Sequence, residues 1–141
     1  MDPRIMQPNP WLIATSLAFL IPLGYTLSDR RTFILAGALW LVVIVSTLYH
    51  ATKDPVLFWL DQVAVFTVVL SALYFGLKQG GAPLVIMGIV GAGCALMYYG
   101  GWLFDSLVWS EHFATATASH ALMHLWVIGG LVLATVSVTI V

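Results

Sequence analysis

The sequence predicts an all-α membrane protein, a compact bundle of five transmembrane helices in a single domain, and three observations predict it. Of 141 residues, 61% are hydrophobic and 8% are charged, with a mean hydropathy of +1.00. A water-soluble domain carries charge on about a quarter of its positions, so a surface this poor in charge must face lipid. The charges are also clumped, and the apolar gaps between the clumps are each about as long as the roughly 20 residues that cross a bilayer. Finally, most clumps are only a few residues long, which makes consecutive helices antiparallel neighbours and leaves nothing for a second domain.

Taken in order, the expected spans are about 11–27, 32–52, 55–77, 82–104 and 117–139. The first run is uncharged but contains Pro22. Arg4 is the only positive charge before it and no small-residue cleavage site follows, so it reads as a span and not as a cleaved signal. The second and fourth runs carry no charge, and the third carries only Asp61. The fifth follows a polar stretch holding Asp105, Ser110, Glu111 and His112, with its membrane portion expected from 116–119 onward. Gly88 with Ala92 and Gly91 with Ala95 stand four apart, a spacing that lets helix backbones approach closely. Most tryptophans fall near span ends, as an aromatic belt requires.

With the N-terminus on side X, the other side, Y, receives Asp29, Arg30, Arg31, Lys78 and the C-terminus. Side X receives Asp2, Arg4, Lys53, Asp54, Asp105, Glu111 and His112. The Lys/Arg excess on Y makes Y the expected cytoplasmic side and puts the N-terminus outside. The formal net charge of −1 offers no basic stripe for a phosphate backbone, which argues against nucleic-acid binding. A single cysteine, Cys94, permits no intrachain disulfide and no cysteine-based metal site.

Ionisable groups inside apolar spans are costly and usually functional. Here they are His50, Asp61, His120 and His124, and the five-span topology brings all four to the X-side ends of their helices. His120 and His124 are four apart, so both imidazoles share one helix face and can address one ion. Ser46 and His50 repeat that spacing on another helix. Three histidines with an open fourth position make the ligand set of a catalytic zinc site. Each residue also has a plainer reading: interhelical hydrogen bonding for the histidines, backbone bonding for Ser46, and an interfacial polar residue for His112. Tyr49, Tyr98 and Tyr99 either line a cavity or anchor the interface.

The order Ser46-Thr-Leu-Tyr-His50, then Phe58-Trp-Leu-Asp61, then His120-Ala-Leu-Met-His124 resembles the motif set of the CREST superfamily of membrane proteins. That group contains alkaline ceramidases, progestin and adiponectin receptors and myomaker-like proteins. The segment around Ser46 to Asp61 is most similar to the ceramidase and myomaker-like branches. The resemblance covers 46–61 and 119–124 closely and the remainder only as apolar helix. It implies that His50, His120 and His124 hold Zn2+, that Asp61 contacts the water on that zinc, and that Ser46 stands beside it as a hydrogen-bonding or oxyanion-stabilising group. The activity it implies is a zinc-dependent intramembrane hydrolase, ceramidase-like, cleaving an amide or ester bond of a lipid taken from the bilayer.

Two departures stand out. Family members generally have seven helices where this chain has room for five, so the substrate cavity is either shallower or completed by a second subunit in a homo-oligomer. The N-terminal 11 residues lack the acidic cluster that serves calcium regulation in alkaline ceramidases, and no calcium site is expected. Two other classes stay open on the sequence: a receptor-like or scaffolding protein with a structural zinc clamp, and a bundle carrying b-type haem, which an adjacent His120 and His124 pair suits less well than a single ion.

Overall fold

In the computed structural model the chain is described over residues 8–27 and 30–139. The charges Asp2 and Arg4, residues 1–7 of the N-terminal segment without an acidic cluster, and Ser28 with Asp29 of the first connection lie outside these residues. Every described element is helical: α1 (Pro10–Leu17), α2 (Leu20–Thr26), α3 (Phe33–Thr52), α4 (Pro55–Gln79), α5 (Gly81–Ala95), a π-helical turn (Leu96–Gly100), α6 (Gly101–Leu103) and α7 (Phe113–Thr139). Four stretches are long and apolar enough to cross a membrane, namely Arg30–Thr52, Pro55–Gln79, Gly81–Leu103 and Phe113–Val138. Together with the shorter apolar pair α1 and α2, they form an all-α membrane bundle.

Local chemistry explains the boundaries. Asn9 caps α1 by accepting from the Trp11 and Leu12 amides at 3.1 and 3.4 Å, with Pro10 opening the helix. Asp54 caps α4 in the same way, accepting from the Val56 and Leu57 amides at 2.8 and 3.1 Å ahead of Pro55. α3 ends where Lys53 turns left-handed at φ 57° and its amide donates to the Tyr49 carbonyl at 2.7 Å. Gly80 and Gly81 supply two consecutive positive φ angles, 66° and 50°, that reverse the chain between α4 and α5.

The expected first span is broken. Pro22 has no amide to offer the Ala18 carbonyl, which accepts instead from Ile21 at 3.0 Å, and the helix steps at Ala18 and Phe19 into α2. At the other end of the chain α7 starts at Phe113, a few residues ahead of the expected membrane portion, through an Ala116 amide to His112 carbonyl bond of 3.0 Å.

The helices close into a ring: α3 packs on α1, α2 and α4, α5 stands between α4 and α7, and α7 returns to α1 and α2. The interior holds Phe19, Leu23, Leu35, Leu39, Val43, Ala64, Val68, Ile128 and Leu131, while the large apolar side chains of the outer face are exposed. Trp11, Trp59 and Trp102 are exposed near the X ends. The close approaches are not where the sequence pairs put them. Gly88 and Gly91 face open space, and it is Gly93 and Gly130 that let α5 and α7 meet: a Cβ on Gly93 would lie 2.6 Å from Trp126 Nε1, and one on Gly130 would overlap the Val90 side chain.

Candidate metal centre

The ring brings the histidines together at its X end. His50 lies three positions from the left-handed stop of α3, and His120 and His124 lie one turn apart on the inward face of α7. The ring centroids are 5.2 Å apart for His50 and His120, 5.8 Å for His50 and His124, and 4.8 Å for His120 and His124. One nitrogen from each ring falls within 4.8 Å of the other two. Nitrogens around a tetrahedral zinc, at roughly 2.0–2.1 Å each, stand about 3.4 Å apart.

The hydrogen bonds around His124 suit ligation, and at His50 the Lys53 Nζ contact with Nδ1, at 3.0 Å, does so with a neutral amine that accepts from Nδ1–H. His50 Nε2 is buried with no partner among the described residues, a costly state for a ring nitrogen unless something binds it. His124 Nδ1 lies 3.0 Å from Thr15 Oγ1. With the Thr15 hydroxyl donating to the Leu12 carbonyl at 3.2 Å it accepts from His124, and the tautomer with its proton on Nδ1 leaves the Nε2 lone pair for an ion. Phe19 packs edge-on against the same ring at 5.5 Å. Asn9 fastens the layer together: its amide donates to the His50 carbonyl at 3.2 Å and its side chain donates to Thr117 Oγ1 at 2.8 Å.

Asp61, on the second turn of α4 counting from Pro55, is 4% exposed and its Oδ1 has no hydrogen-bond partner among the described residues. It is not one of the convergent ligand groups. Its electrostatic neighbours are the Ser46 hydroxyl and Lys53, and it acts in turn on Tyr49 and Tyr98. Ser46 Oγ lies 3.1 Å from Ser16 Oγ, which donates to the Leu12 carbonyl at 2.8 Å. The one Ser46 proton therefore turns either to Ser16 or towards Asp61.

Other candidates sort clearly. His112 is exposed and outside the cluster. Tyr49 is buried between His50 at 5.0 Å and Phe58 at 5.5 Å and lines the site. The π-helical turn carries Tyr98, whose hydroxyl donates to Gln62 Oε1 at 3.1 Å, whereas Tyr99 is exposed. Lys53 was read from sequence only as a topology charge. Its Nζ reaches 3.0 Å from His50 Nδ1 and 4.7 Å from the Tyr49 ring centre. Burial lowers its ammonium to about 8, with the Asp61 carboxylate acting in the opposite direction. Thr15 and Ser16 carried no sequence signal, because hydroxyls bonded to their own helix are ordinary in apolar spans.

No family model, no curated protein and no solved structure matches this chain.

Proposed function

We propose that the protein is a zinc-dependent intramembrane hydrolase that cleaves an amide or ester bond of a lipid. The observation that supports this reading is the convergence of His50, His120 and His124 near a buried carboxylate, Asp61, that stands outside the convergent group. Asp61 keeps one buried oxygen, Oδ1, without a partner among the described residues, and a hydrolytic centre needs a group that moves a proton. Zinc held by the three imidazoles would supply Lewis acidity towards a carbonyl and towards water.

The chain's own residues supply the rest. Thr15 fixes the ring of His124, and Asn9 ties the end of α3 to the start of α7, so the ligands are held before substrate arrives. Asp61 Oδ1 accepts a proton from water and passes it to the leaving amine or alcohol. Ser46 turns its hydroxyl from Ser16 towards the developing oxyanion. The acyl chain lies among the apolar side chains of the bundle and enters laterally from the bilayer. In the membrane the first apolar stretch completes five passes, which places the N-terminus and the centre on one side, the outer one by charge, and the C-terminus on the cytoplasmic side.

The experiment is Asp61→Asn, assayed for zinc content, folding and hydrolysis of a panel of N-acyl and O-acyl lipids. The variant keeps its zinc and fold and loses about 100-fold to 10,000-fold in rate. Loss of the metal, or an unchanged rate on a substrate that the wild type accepts, overturns the assignment.

A further inference from the structure

Asp61 has few anchors of its own. Its Oδ1 has no hydrogen-bond partner among the described residues, and the Ser46 hydroxyl beside it is shared with Ser16. Where the carboxylate stands relative to the histidines is therefore set by where the second turn of α4 stands. Phe58 and Gln62 lie four apart on that stretch and share a face of the helix. Phe58 packs on Tyr49 of α3 at 5.5 Å. Gln62, the residue after Asp61, accepts from the Tyr98 hydroxyl at 3.1 Å, the one side-chain hydrogen bond between α4 and the helical segment that follows it among the described residues. Tyr98 lies in the π-helical turn of Leu96–Gly100, and such turns are uncommon and concentrate at functional sites. Its ring is half-buried, whereas Tyr99 is 54% exposed with its ring at 85° to that of Tyr98. Trp109 braces the Tyr98 ring from behind, edge-on at 5.3 Å. Gly101 lets the returning loop come that close, because a Cβ there would stand 2.7 Å from the Ser106 carbonyl oxygen.

We propose that Tyr98 is a positioning residue for the reaction: through Gln62 it fixes the turn of α4 that carries Asp61, and with it the place of the carboxylate beside the histidines. Asn9 and Thr15 hold the ligand helices from the side of α1, and Tyr98 holds the carboxylate from the other side of the ring. The effect on rate rests on the hydrolase reading, whereas the placement of Asp61 does not.

The test uses the full chain in detergent. Tyr98→Phe keeps the ring against Trp109 and loses only the hydroxyl, Gln62→Met removes the acceptor from the other side, and Tyr99→Phe is the control. On a lipid that the wild type hydrolyses, Tyr98→Phe lowers kcat by about 10-fold, the worth of roughly one hydrogen bond, while KM and zinc content hold. Gln62→Met does the same, the double variant loses no more than either alone, and Tyr98→Phe costs nothing further in the Asp61→Asn protein. The second readout needs no turnover: dicyclohexylcarbodiimide converts a reachable buried carboxyl to a stable N-acylurea, counted by mass spectrometry with Asp61→Asn as the blank. Labelling of Asp61 quickens in Tyr98→Phe and Gln62→Met alike, and no further in the double variant. Additive losses in the double variant, a KM that rises while kcat holds, zinc lost from Tyr98→Phe, or an unchanged rate of Asp61 labelling overturns the proposal. Should Tyr98→Phe fail to fold, Gln62→Met against Asp61→Asn carries both readouts. If the wild type hydrolyses no lipid, the hydrolase reading falls and the labelling comparison alone decides the placement of Asp61.

Discussion

Replacing Thr15 by valine removes a hydroxyl and little else, since the two side chains share a shape. In the wild type that hydroxyl stands 3.0 Å from His124 Nδ1 and 3.2 Å from the Leu12 carbonyl, so that donating to the carbonyl leaves it to accept from the ring. Without it, a buried ring N–H is left with no acceptor, at a cost of about 1–3 kcal/mol, and the ring is free to turn its proton onto the nitrogen that should face the ion. Partners of this kind are typically worth about 10-fold to 100-fold in metal affinity, or roughly 1.4–2.7 kcal/mol. The two ranges agree, so Thr15→Val is expected to weaken zinc by about that factor. The assay is a competitive titration against a chelator of known affinity, with Thr67→Val as control, because Thr67 makes the same kind of backbone bond, to Val63 at 2.8 Å, on the exposed face of α4. An unchanged affinity in Thr15→Val, or an equal loss in Thr67→Val, refutes the argument that Thr15 sets the His124 tautomer.

Ser46→Ala is expected to slow hydrolysis less than Asp61→Asn, because Ser46 gives up a 3.1 Å contact with Ser16 before it can help an oxyanion; rates of the two variants on one substrate check this. Gly130→Ala and Gly93→Ala press on Val90 and Trp126 and are expected to destabilise the bundle by about 1–3 kcal/mol. Gly88→Ala meets nothing within 4 Å and is expected to be neutral or slightly stabilising; thermal unfolding in detergent separates the three. Reporter fusions at the two termini are expected to report opposite compartments, and finding both on one side would remove the five-pass arrangement.

The number and order of the helices were legible because charge is so scarce that its gaps mark the spans. The histidines were legible for a related reason: a costly group inside lipid stands out, the four-residue spacing of His120 and His124 fixes a shared face, and alternating passes bring His50 and Asp61 to the same end. What the spans hid is which side of each one faces a neighbour. Helices apolar all round carry no stripe, so Gly88 and Gly93 look alike in sequence, although only Gly93 meets a partner helix. Pro22 signalled a disturbance, but the step at Ala18 and Phe19 follows from where the orphaned Ala18 carbonyl finds its donor. Lys53 was visible as a charge; its reach into the site depends on the left-handed turn that ends α3.

The most direct measurement is elemental analysis of purified protein from cells grown with ample zinc. The wild type is expected to hold close to one zinc per chain and His112→Ala to hold the same, while His50→Ala, His120→Ala and His124→Ala each lose it. Zinc absent from the wild type, or retained by all three cluster variants, would contradict the account at its centre.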